Sequence, residues 1–437
     1  MITSRKGRAE LLEGHQREKD YSIPYGKGHL SFKLPPNLKV SVLRPKPSPA
    51  VEDELKEIET ALGQPIGNSR LEAIKPGQKI AVVVSDLSRP VPHRLLLQPL
   101  LRKLDSLGVP RSTIKILIAS GQHPKVPPDH FRGLVDPAWS MGIEVTSHDP
   151  VENLVYVGGT SRGTPVWINR TFMESDVRIL TGMIDPHQFV GFTGGVKLAA
   201  IGLAGVKTIE ANHSMLTHPA ARLGEIEGNP VREDIDEIGR MLGISFILNV
   251  VLNEENRIVK AFAGDSLEAW QEGVHLCKHL SGVPLTGKVD LVIASQGGYP
   301  KDIDLYQVQK GLAHAVRALR PGGIVVLAGE CSEGIGDEVF LEVMEHAKSP
   351  EEVISLFQST GFKMGLHKAF LLCRSLVQHR VYFCSGLSAS EATKFFLTPV
   401  SSLQGGISEA LRHLPPNPTV AIMPKASSTF VLAPLLL

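Results

Sequence analysis

Aromatic residues make up only 5% of the 437-residue chain, and there are four cysteines. Cys277, Cys331, Cys373 and Cys384 form no CxxC pair and no zinc-knuckle spacing, which excludes a conventional cysteine zinc site and fits a reduced intracellular protein. No HExxH occurs, and the two DxD pairs, Asp234 with Asp236 and Asp302 with Asp304, have no histidine nearby and read as helix-start or surface acids. The apolar runs are strand-length and broken by glycine or charge, so no membrane helix is expected. The basic N-terminal stretch is followed by no apolar segment, which argues against a signal peptide and for a cytoplasmic protein without a membrane partner. Charge of either sign is not in excess: 46 Lys and Arg against 45 Asp and Glu give +1, and no nucleic-acid partner is implied. Neither GxGxxG nor a Walker A motif is present, so a nicotinamide-dependent hydroxy-acid dehydrogenase lacks its fingerprint. No tandem repeat at solenoid spacing is found.

What remains is ordinary globular composition, 42% hydrophobic and 21% charged, with 41 glycines that favour tight turns. At about 150 residues per domain the length predicts two or three domains. Residues 24–45 alternate with period two and read as a short β meander. The run 79–85 (KIAVVVS) stops at Asp86, and 113–119 (TIKILIA) stops at Ser120-Gly121-Gln122-His123; each reads as a buried parallel strand. Helices are predicted over 52–62 and 92–104, and further strands over 142–146, 154–158 and 177–180. This alternation predicts an α/β fold with helices on both faces of an open sheet, and such sheets bind ligands beyond the carboxyl ends of their strands. A second, smaller α/β unit starts at KVDLVIAS near Lys288, with a helix over 305–319, a turn at 321–323 and a last strand over 420–423. The predicted domains are 1–282, which holds the strand-end loops described below, and 288–415. The tail 416–437 is free to return to the first, and the helix 266–280 with SGVPLTG links the two.

Three strand-end loops carry groups with chemistry. Asp86 and Arg89 can grip a hydroxyl and an anion, or form an internal ion pair. His123 and His187 titrate near neutrality and could act on opposite faces of one carbon, although loop histidines are commonly surface residues. The stretch 181–215 places GFTGG, with Gly194 and Gly195, before a predicted Ala/Leu-rich helix, 196–204, that carries Lys197; His213 follows in Ala-Asn-His-Ser. The N–H groups opening such a helix can hold an anion, or the stretch is a plain glycine-rich loop. In the second unit Gln307 and Lys310 share a helix face and can hold a carboxylate, or are simply solvated. Glu330-Cys331-Ser332-Glu333 forms another strand-end loop that can line the cleft or cap the next helix.

Together these blocks resemble the nickel-dependent lactate racemase family: DLSRPVPH at 86–93, SGQH at 120–123, DPHQFVGFTGGVK at 185–197, NH at 212–213, GGYPKDIDLYQVQK at 297–310 and ECSEGIG at 330–336, in the family's order. The resemblance implies two domains around a cleft and a nickel-pincer nucleotide, a nicotinic-acid-derived mononucleotide with thiocarbonyl groups. It implies tethering of that group to Lys197, nickel ligation by His213, acid–base roles for His123 and His187, cofactor contacts from Asp86 and Arg89, and substrate contacts from Gln307 and Lys310. Enzymes of cofactor synthesis are then implied as maturation partners. Thr193 stands where the family often has Ser, and Ile201-Gly202 replaces a frequent Pro-Gly. Phe357 is the candidate for the substrate-side aromatic residue.

The resulting expectation is a racemase or epimerase that inverts C2 of a small 2-hydroxy acid, lactate-like or larger, by proton-coupled hydride transfer. The alternative is a non-catalytic nucleotide- or metabolite-binding protein on the same scaffold. Two paired bases beside a tethering lysine favour the enzyme, since a pure binder needs no bases.

Overall fold

The computed structural model describes residues 19–432; the extreme N-terminal stretch and the last five residues of the tail lie outside the described residues. The apolar runs form the two α/β sheets the sequence predicts. The first has the strand order 258–264, 246–252, 177–183, 80–85, 114–119, 144–147, parallel except for its first pair. Every residue of Ile80–Ser85 is buried, because helices cover both faces. Val82 and Val84 pack into one core, while Ala81 and Val83 pack into the other. The chain runs outward from 80–85 through 114–119 to 144–147, then returns to 177–183 on the other side. The order therefore reverses between 80–85 and 177–183, and a crevice opens beyond Ser85 and Met183.

The second sheet is entirely parallel, ordered 398–399, 380–384, 319–328, 289–295, 419–423, 39–42. Its order reverses between 289–295 and 419–423. The two switch points meet on one cavity, which Asp86 and Asp185 line from the first sheet and Gln296 and Lys425 from the second.

Several boundaries differ from the sequence reading. The hairpin 19–25 with 28–34 packs on the second sheet, and 39–42 leaves the meander to pair with 419–423. Both ends of the described stretch thus build the second domain, so the division 1–282 and 288–415 does not follow sheet membership there. The tail adds strand 419–423 to the second sheet instead of returning to the first. Such pairing joins residues almost a whole chain apart, which local patterns do not encode. Leu154–Gly159 pairs with Pro165–Asn169 as a separate hairpin, outside the first sheet. Helix Glu268–Ser281 is no mere linker, since Ala269, Trp270, Val274 and Cys277 lie in the first domain's core. Helices Pro350–Thr360 and Leu366–Leu376 were not foreseen. They join the domains: Phe357 and Phe370 pack in the first core, and Leu372 and Cys373 in the second. Arg374 reinforces this joint by donating to the carbonyls of Leu216 at 3.2 Å and Ala221 at 3.0 Å. Among the described residues no helix is long and apolar enough to cross a membrane.

Candidate active site

The cavity has a volume of about 1590 Å³, and its wall includes Asp86, Arg89, His123, His187, Gly194, Gly195, Lys197, His213, Gln307 and Lys310. Asp86 and His123 follow adjacent parallel strands. Their Oδ2 and Nδ1 lie 2.7 Å apart, while Ser88 Oγ donates to Asp86 Oδ1 at 2.6 Å. Burial alone would raise the Asp86 carboxyl, but the bonds from His123 and Ser88 outweigh it and hold the pKa below its ordinary value. Asp86 is hydrogen-bonded to His123, and among the described residues it does not form the internal pair with Arg89 that the sequence allowed.

His187 opens a tight antiparallel turn with Gly191. Its Nδ1 accepts the Val190 N–H at 3.4 Å, so in the neutral ring Nε2 carries the proton. Burial, followed by the charges of Lys197 and Arg89, pushes its pKa well below the ordinary value. Thr193 Oγ1 closes the turn, donating to the Met183 carbonyl at 2.9 Å and accepting from Asp185 N at 2.9 Å. Its hydroxyl therefore has a structural task that a serine could share.

GFTGG does not open a long helix. Lys197–Ala200 is a single turn, and the chain turns again before helix Val206–Ser214. The Gly195 N–H is already taken by Asn249 Oδ1 at 2.7 Å, so it is no free anion donor. The glycines answer to packing: Gly194 has φ +78° and Gly195 φ +57°, and a Cβ on Gly195 would sit 2.9 Å from Trp270. Trp270 itself donates from Nε1 to the Thr193 carbonyl at 2.8 Å.

This loop presents Lys197 to the cleft. No carboxylate pairs with it among the described residues. Burial, then the Arg89 and Arg232 guanidinium charges, brings its pKa down to about 7. His213 lies near the end of helix Val206–Ser214, 8% exposed, with its Nδ1 2.8 Å from Asn212 Oδ1. Asn212 Nδ2 donates to the Val231 carbonyl at 3.1 Å and to Asp234 Oδ2 at 2.8 Å, which fixes the amide so that its oxygen faces the ring. His213 thus keeps its proton on Nδ1 and a lone pair on Nε2. Burial and the Lys197 charge hold it neutral, with a pKa of about 3. Asp234 is not a surface acid; it is buried and also accepts from Thr160 and Thr164.

The second domain supplies the opposite wall. Asp304 caps helix Leu305–Ala315 by accepting Gln307 N at 2.7 Å, and the Lys310 ammonium donates to Gln307 Oε1. Burial and the Arg89 charge bring the Lys310 amine down to about 8. Ser332 and Glu333 are exposed and do not line the cavity. Phe357 is 1% exposed and stacks on Phe370 in the core, so it is not a cleft residue. Phe362 and Phe189 line the site, each 5.0 Å from the His213 ring in an edge-to-face contact, and Tyr306 lines it as well. His367, Lys368 and Gln188 complete the wall and were missed. Their only local signal was Lys368 beside His367 within an apolar run.

Among the described residues no cluster of three or more His, Cys, Asp or Glu side chains could hold a metal ion. A metal on His213 would draw its other donors from a bound group.

Two doubly wound domains, joined so that their switch points share one cleft bearing paired histidines and buried amines, define a class of α/β protein with a composite active site. The lactate racemase N-terminal domain model matches residues 25–224 and the C-terminal domain model residues 286–431. The chain belongs to the lactate racemase family. It is 32% identical over 420 residues to the lactate racemase of Thermoanaerobacterium thermosaccharolyticum, covering 94% of this chain and 98% of that one. It is 33% identical over 348 residues to the lactate racemase of Lactiplantibacillus plantarum, covering 76% and 80%. The solved lactate racemase apoprotein of T. thermosaccharolyticum superposes with a TM-score of 0.86 at 31% identity, over 95% of this chain and all of that one. A Thermotoga maritima protein structure shares the fold, with a TM-score of 0.61 at 18% identity.

Proposed function

We propose that the protein is a racemase or epimerase that inverts C2 of a 2-hydroxy acid, using a nickel-pincer nucleotide. The observation that carries this reading is the meeting of His123 and His187, on separate strand-end loops, with Lys197 and His213 in one cleft. The residues present fit the cofactor: Lys197 is an amine close to its neutral, nucleophilic form, suited to a covalent tether, and His213 offers the Nε2 lone pair a soft planar metal site takes. When bound, such a group supplies the acceptor and donor for the C2 hydride.

The chain's own residues do the rest. Lys310 and Gln307 hold the carboxylate from the second domain. His123, oriented by Asp86, takes or returns the hydroxyl proton at Nε2 on one face of the substrate carbon; His187 does so on the other once its own proton has moved to Nδ1, at the cost of the long Val190 N–H contact. Two bases are required because inversion engages both faces. Phe189 and Phe362 keep water from His213 and hold its ring edge-on. Enzymes of cofactor synthesis are the maturation partners this reading requires.

The test is incubation of cofactor-loaded protein with single enantiomers of lactate, malate, phenyllactate and gluconate, followed by chiral chromatography. Formation of the C2 epimer of at least one acid is the expected result. No inversion of any of them, with the adduct verified by intact mass, would leave a binding protein as the better reading.

A further inference from the structure

We propose that Lys368 is a second cationic contact for the substrate carboxylate, acting beside Lys310 in the same cleft; this rests on the 2-hydroxy acid reading above. Lys368 is 8% exposed and lines the cavity from helix Leu366–Leu376. An ammonium has three donors. Here one goes to Gln188 Oε1 at 2.9 Å, and the Tyr306 ring lies 5.2 Å away. Among the described residues no carboxylate pairs with Lys368, nor with Lys310 or Arg89, which line the same cavity.

Three cations in one cleft with no bonded carboxylate are costly, because a buried charge needs a partner. Burial first, and then Lys310 and Arg89, pushes the Lys368 amine well below its ordinary pKa. Gln188 cannot neutralise it. That amide is already spent on Gln309, donating from Nε2 to Gln309 Oε1 at 3.0 Å, and Gln309 in turn donates to the Tyr306 carbonyl at 3.1 Å. Asp185 in the same wall makes no ion pair with any of the three, and desolvation pushes its carboxyl up to about 6; a bound carboxylate brings a further negative charge and several acceptor lone pairs. The contact also has a structural consequence. Gln188 follows His187 directly and belongs to the first domain, whereas Lys368 and Gln309 belong to the second. A carboxylate held by Lys368 is therefore gripped at the joint that positions one of the two bases.

The experiment compares cofactor-loaded wild type with Lys368→Gln and Lys368→Arg. Lys368→Gln keeps a donor toward Gln188 and removes the charge. Its KM should rise about 10- to 100-fold, the value of a hydrogen bond to a charged group, with kcat little changed. Lys368→Arg should recover most of the loss, and adduct mass should be unchanged in both. An unaltered KM, or a fall in kcat alone, would overturn the assignment and leave Lys368 as a structural tie between domains. Should Lys368→Gln not fold, Lys368→Met, which keeps the stem and its packing, is measured in the same way. A parallel measurement does not depend on turnover: lactate and malate should raise the Tm of the cofactor-free wild type, and the shift should vanish in Lys368→Gln. An equal shift in both proteins counts against the proposal. If wild type inverts none of the acids, the proposed function fails on its own, and the thermal shift still decides the role of Lys368.

Discussion

Asp86 Oδ2 lies 2.7 Å from His123 Nδ1, across the ends of two adjacent parallel strands. The carboxylate fixes the imidazole proton on Nδ1 and leaves Nε2 to exchange protons with a ligand, the arrangement of a base with an orienting acid. Asp86, expected from the sequence resemblance to grip a cofactor, is bonded to His123 in this structure, and we propose that it positions that ring.

Asp86→Asn should keep the fold and the cofactor adduct but lower kcat roughly 10²-fold or more, because an amide oriented by Ser88 leaves His123 in mixed tautomers. Asp86→Glu should restore part of the loss. A loss of adduct mass with intact proton transfer would instead assign Asp86 to cofactor binding.

Strand ends were legible because an apolar run that stops at Asp86, or at Ser120 and His123, marks both the sheet and its ligand edge. Lys197 and His213 emerged through the family resemblance; their spacing alone pointed to neither a tether nor a metal ligand. Legibility failed where the outcome depends on which face turns inward. Helix Leu366–Leu376 is buried on nearly all sides, so it has no polar stripe to announce it, and Lys368 was hidden within it. Phe357 and Phe362 are five residues apart and share one core, yet past the helix end at Gly361, with φ +75°, only Phe362 reaches the cleft. The edge strand 39–42 depends on a partner at 419–423, a pairing no local period encodes.

Lys197 predicts a pH dependence of stability in the cofactor-free protein. Its folded pKa, about 7, lies below the 10.5 of a free lysine. Between these values the unfolded chain binds the proton and the folded chain does not, so stability falls as pH decreases from 10.5 toward 7 and levels off below. Lys197→Met should therefore be more stable than wild type at neutral pH. The gap in Tm should shrink from pH 7 to pH 9 and stay constant from pH 7 to pH 6. A gap independent of pH across the whole range would contradict a desolvated amine.

On the proposed cofactor reading, Asn212 predicts a metal phenotype without a change at His213, the proposed ligand. Its side-chain oxygen holds the His213 Nδ1 proton, and Asp234 fixes the amide's orientation. Asn212→Leu removes that acceptor and frees the ring to rotate and change tautomer. Partners behind a metal-bound histidine are typically worth about 10–100-fold in metal affinity. Nickel retained after desalting should fall in that range, while the Lys197 adduct is kept. Full nickel retention would show that the Phe189 and Phe362 contacts suffice to orient the ring.

Gly195 predicts a structural penalty separable from chemistry. Its backbone has φ +57°, and an added Cβ would meet Trp270 at 2.9 Å. Trp270 cannot retreat easily, since it is 1% exposed, bonded to the Thr193 carbonyl and stacked 3.6 Å from the Arg232 guanidinium. Gly195→Ala should cost about 1–3 kcal/mol of stability from overpacking, with strain of the left-handed backbone added to it. Because Lys197 is two residues away, the same change should slow formation of the adduct. Denaturant melts of the cofactor-free protein check the first effect and intact mass over the course of loading checks the second. A wild-type midpoint in Gly195→Ala would mean that the loop has room that the Trp270 contact denies.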